Sequence, residues 1–159
     1  MELTPAAVER EYEWVRERES VVPLINGTRD RLADCFDVDV GHVTREAYRE
    51  EVAAVFADGA RAVNVAAYVA LLRDLDVTGD YPGFVVDEVL GRELAAAIAG
   101  GQPYSLLAQA TFHFADVTTH TEGVAGADDL DAALAAGFQT RLPGWEWTEG
   151  SSPFAVGRE

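Results

Sequence analysis

A chain of 159 residues with 48% hydrophobic side chains is long enough and apolar enough for one globular domain with a real core. Its 28 acidic and 12 basic residues leave a formal charge of −16, which argues against non-specific nucleic-acid binding, because that needs a basic stripe to displace counterions. The single cysteine, Cys35, rules out an internal disulfide and a cysteine zinc site.

The first helix starts at Thr4-Pro5, with Thr as N-cap and Pro at the first helical position. Val8, Tyr12 and Val15 then recur at helical spacing, with Glu and Arg opposite. Ser20 to Pro23 should break the chain. A second helix is predicted from about Pro23 to Phe36, with Cys35 buried as a small apolar residue beside Leu32, Ala33 and Phe36. Seven of the twelve arginines fall between residues 10 and 49, interleaved with glutamates, and read as ion pairs on solvated helices.

Thr44-Arg45-Glu46 opens a third helix carrying Tyr48, Val52, Val55, Phe56, Gly59 and Val63 on one side, with a kink at Gly59. Residues 60–72 are apolar nearly all round, the pattern of a central helix buried on most faces. The run is shorter than the ~20 residues that a membrane span needs. Asp74 to Gly83 is a loop. Asp74-Leu75-Asp76-Val77-Thr78-Gly79-Asp80 resembles the first half of an EF-hand calcium loop, but Val85 stands where the bidentate Glu should be, so an acidic turn is the better reading.

Helix resumes over 84–99 and ends at Gly100-Gly101. Pro103 opens another helix to about His120, although the Thr, Val and Phe content of 110–121 also suits a strand. A short helix over 128–141 shows Leu130, Ala133, Leu134 and Phe138 on its apolar side. Residues 143–159, rich in Gly, Pro and Ser, should be extended. The expected architecture is all-α: one helical bundle of five or six helices at 1–142 and an aromatic C-terminal tail at 143–159.

Two constellations are candidate sites. On a helix, Gln109, His113, Asp116 and His120 fall in one sector, and His113, Asp116 and His120 have the donors for a divalent metal if a neighbouring helix adds a ligand such as Asp87, Glu88 or Glu93. The competing reading is a wet face, with Leu107, Ala110, Phe114, Val117 and Thr121 turned to the core; on a strand the two histidines would part. In the tail, Trp145, Trp147 and Phe154 must pack on their own bundle or anchor a partner.

Motif absences shape the functional reading. There is no P-loop, GxGxxG, GxSxG or HExxH, and without lysine there is no Schiff-base or P-loop lysine. The lysine-free, acid-rich composition resembles that of proteins from salt-in halophilic archaea, where salt shortens the range of charge repulsion to about 3 Å at 1 M. No signal peptide or membrane segment is expected. The sequence points to a cytoplasmic, non-catalytic interaction or regulatory module, a homodimer with a protein partner at its tail and no nucleic-acid or membrane partner. The alternative is a metal-binding bundle, a hydrolase using His113, Asp116 and His120 to activate water.

Overall fold

The computed structural model describes residues 1–75, 86–117 and 125–145. Among the described residues there are seven α-helices and no strand. These are α1 (Pro5–Glu17), α2 (Val21–Phe36), α3 (Arg45–Ala57), α4 (Gly59–Asp74), α5 (Val86–Ala99), α6 (Tyr104–Val117) and α7 (Ala125–Gln139). The all-α expectation holds, with seven helices rather than five or six. The strand alternative fails as far as Val117, which closes α6.

Local chemistry sets several ends as expected. The Thr4 hydroxyl accepts from the Ala7 N–H at 3.1 Å, and Pro5 sits where its missing N–H is harmless. Thr44 caps α3 in the same way, from the Ala47 N–H at 3.2 Å. Helix α2 starts earlier than expected, at Val21, because Pro23 lies within its first turn and costs it no hydrogen bond. The sharp break between α3 and α4 is 111°, and Asp58 makes it rather than Gly59. Asp58 leaves helical geometry (φ −85°, ψ 105°), ends α3 with its N–H on the Val55 carbonyl, and caps α4 by accepting from the Arg61 N–H. One short acidic side chain thus closes one helix and opens the next.

The central helix is α7, not α4. Every residue from Asp129 to Thr140 is buried, and α7 packs on α2, α4, α5 and α6. Its alanines let neighbours approach closely, and Gly137 sets the limit. A Cβ there would lie 2.8 Å from the Ile98 Cβ and 3.0 Å from the Ala95 carbonyl oxygen, both on α5. Helix α4, equally apolar in sequence, buries Ala62, Val65, Ala66, Val69 and Leu72 but leaves Val63 and Leu71 about two-fifths exposed. On α1 the buried face is Ala7, Glu11 and Val15 rather than Val8, Tyr12 and Val15. Cys35 is exposed, contrary to expectation. The buried face of α2 runs through Val21, Ile25, Thr28, Arg29 and Leu32, and stops one turn short of Cys35 and Phe36, where the left-handed Asp37 turns the chain away.

Two of the buried carboxylates inside the bundle are paired with arginines. Asp131, 1% exposed at the heart of α7, accepts two hydrogen bonds from Arg18 at 2.8 and 3.0 Å. Glu11 accepts two from Arg73, both at 2.6 Å. The Trp14 ring lies between these pairs, 4.9 Å from the Arg18 guanidinium and 5.2 Å from that of Arg73. The hydrogen bonds to their carboxylates raise the pKa of both arginines above the usual value.

Tyr48 donates to the Val15 carbonyl at 2.7 Å and meets Phe138 edge-on at 5.4 Å. Burial, with the Asp131 carboxylate second, pushes its phenol well above the normal range. The folded protein therefore keeps a proton that the unfolded chain releases near pH 10. The Tyr48 contribution to stability is complete below that pH and falls above it, at about 1.4 kcal/mol per pH unit. Urea unfolding from pH 8 to 11 should show that loss, and Tyr48→Phe should flatten it.

Candidate functional site

The most structured surface feature is a cleft at the C-terminal end of α7. It has a volume of about 620 Å³ and is lined by Glu51 of α3, Ala99 of α5, Tyr104 of α6 and residues 140–145. Its wall is built from below by Arg29. That side chain, 1% exposed, reaches out of α2 and donates to the carbonyls of Gln139 (2.8 Å), Leu142 (3.2 Å) and Pro143 (2.5 Å). It also donates to Val40 (3.2 Å) and Gly41 (3.0 Å) in the loop that follows α2. A guanidinium at this end complements the negative pole of α7 and satisfies carbonyls that the helix itself leaves open.

Gly144 completes the wall. Its φ of +126° is a conformation that side-chain-bearing residues avoid, and a Cβ there would collide with the Val40 carbonyl oxygen. The chain then turns Trp145 inward. Its indole N–H donates to the Gln139 carbonyl at 2.7 Å, and its ring lies 5.4 Å from the Arg29 guanidinium. Leu32, Val40 and Trp145 form a small apolar cluster below the cleft, against which Tyr104, Leu107 and Phe114 pack. Of the two readings for the tail aromatics, Trp145 follows the first and packs on its own bundle.

Across the cleft, Arg141 donates from Nε to Glu51 at 3.0 Å and from Nη1 to the Ile98 carbonyl at 3.3 Å. Its Nη2 and the Tyr104 hydroxyl make no hydrogen bond among the described residues. A second concavity of about 620 Å³ runs between α4 and α5, lined by Ala67, Tyr68, Leu71, Ala96 and Ala97, with Glu93 at its edge.

Of the sequence-predicted residues, His113 and Asp116 share α6 and Trp145 lies beyond the end of α7. His113 is exposed on α6, its ring 6.4 Å from that of Phe114, and Asp116 is half-buried. His120, Trp147 and Phe154 lie outside the described residues, as does the calcium-like loop beyond Leu75. Among the described residues no group of three His, Cys, Asp or Glu could hold a metal ion. The buried face of α6 is Ala108, Thr111, Phe112 and Ala115, so Ala110 and Val117, expected to face the core, are exposed. Sequence reasoning passed over Arg29, Glu51 and Arg141, whose partners stand up to 114 residues away.

No single described helix is long and apolar enough to cross a membrane. The chain belongs to the family described as "Domain of unknown function (DUF7984)", whose model matches residues 1–158. No curated protein and no solved structure matches it.

Proposed function

We propose that this chain is a non-catalytic interaction module of a salt-adapted cytoplasm, acting as a homodimer that docks a protein partner. The observation that carries the reading is the outer face of α4. From Gly59 to Arg73 that helix holds no acidic residue, in a chain that has 28, and it exposes Val63 (40%) and Leu71 (41%). Apolar surface on a helix without acidic residues of its own, in an otherwise acidic protein, marks a contact face. Two copies, each strongly negative, repel least where both lack carboxylates, so such faces suit one another. The tight ionic groups, Arg18 with Asp131 and Arg73 with Glu11, are spent on holding the bundle together. Residues 146–159, with Trp147 and Phe154, supply the anchors for the protein partner.

Sedimentation velocity tests the dimer. In about 1 M KCl, where the screening length is about 3 Å, the chain should sediment as a concentration-dependent dimer. Leu71→Glu, a surface change expected to alter stability by no more than about 0.5 kcal/mol, should leave a folded monomer. A wild-type chain that stays monomeric at every concentration and salt would refute the dimer. Removal of 146–159, which spares Trp145, should abolish partner capture while leaving the dimer intact.

A further inference from the structure

The cleft at the end of α7 has a property that the docking proposal does not use. Its polar groups are of opposite sign and stand side by side. Arg141 and Glu51 touch through one nitrogen and one oxygen, Nε and Oε2. Arg141 Nη2 and Glu51 Oε1 make no further hydrogen bond among the described residues. Nor does the Tyr104 hydroxyl make one among the described residues. The indole N–H of Trp145 is committed to Gln139 and its buried ring lies against Arg29, so Trp145 gives the cleft a fixed wall. The wall between them is held rigidly by the Arg29 hydrogen bonds and by the close contact of Gly144 with Val40. A volume of about 620 Å³ lies within the ~300–1,000 Å³ range of small-molecule sites.

We infer that this cleft binds a small zwitterion, a molecule carrying one cationic nitrogen and one carboxylate, such as a free amino acid or a betaine. The carboxylate is met by the open edge of the Arg141 guanidinium, a charge-assisted hydrogen bond of the stronger kind. The cationic nitrogen is met by the Glu51 carboxylate and by the ring of Tyr104, which attracts cations through its quadrupole. Charge selects this class over its neighbours. At short range an anion on Arg141 also sits beside the Glu51 carboxylate, and a simple cation on Glu51 sits beside the Arg141 guanidinium. A zwitterion pays neither penalty, and only a site with both signs at short range reads its two ends together.

The test is a titration of the ¹⁵N-labelled full chain, followed through the Trp145 indole and Arg141 Nε–H signals. The probes are L-proline, glycine betaine, sodium acetate and methylammonium chloride, at constant ionic strength. Both zwitterions should give saturable shifts, with acetate and methylammonium at least about tenfold weaker. Glu51→Gln, which keeps the shape and an acceptor for Arg141, should weaken zwitterion binding at least about tenfold without lowering the melting temperature by more than a few degrees. Arg141→Gln should do the same from the other side. No saturable shift up to about 100 mM, past the weakest affinity expected of so small a ligand, would overturn the inference. So would acetate binding as tightly as proline, or Glu51→Gln binding as well as wild type.

Discussion

Arg18→Ala is expected to destabilise the protein by about 3–5 kcal/mol, the cost of leaving a buried carboxylate without its partner. Asp131 is 1% exposed on the central helix, and its two hydrogen bonds from Arg18 cross 113 residues of chain. The asymmetry of the pair makes the experiment informative. Arg18 is one-third exposed and regains water when Asp131 is removed, whereas Asp131 has no water to turn to. Asp131→Leu should therefore cost much less than Arg18→Ala, and the double variant should recover most of the loss. Urea denaturation of the three variants at one salt concentration measures this directly. Equal losses from both single changes would mean that the pair acts only as packing.

Arg29→Met should be nearly as severe, at about 3–5 kcal/mol, with a fall in melting temperature of roughly 10 °C for a chain this size. Methionine fills much of the same volume, so the effect isolates the hydrogen bonds. Five carbonyls lose a hydrogen bond at once, and of these Gln139 still accepts from the Trp145 indole. The loss should also be local. Hydrogen exchange should accelerate first at 139–145 and in the 38–43 loop, and Trp145 fluorescence should shift to the red as the ring meets water. A uniform loss of protection across α1 to α7 would show that Arg29 supports the whole core rather than the cleft wall.

What was legible in the chain was local. Thr4, Thr44 and Gly100 announce helix ends because a cap needs only its own neighbours, and Tyr48, Val52 and Val55 announce a buried face because helical spacing is short-range. The polar core was not legible. Glu11, Arg29 and Asp131 look like surface residues until a partner 62 to 114 residues away is placed against them. Nor did composition separate α4 from α7. Both are runs of alanine and aliphatic residues with weak amphipathicity, and which becomes the axis depends on how many helices surround it. Trp145 was singled out for its size, but its inward turn rests on Gly144 and on carbonyls organised by Arg29, which no spacing rule reveals. The break at Asp58 was misplaced by one residue because glycine is the commoner sign of a kink, whereas here an aspartate serves both helix ends.

The position of α7 also has a consequence for how the protein is made. The helix around which the others assemble is the one that follows them in sequence. During synthesis the faces of α2, α5 and α6 that pack on α7 leave the ribosome before α7 does. Domains generally fold as units during synthesis, and the earlier helices, although they pack on one another, lack their shared axis until the last emerges. The nascent chain must travel with its apolar faces uncovered until residues 125–145 have emerged. Its dense carboxylates, hydrated and spread along the chain, keep the unfinished chain soluble during that interval.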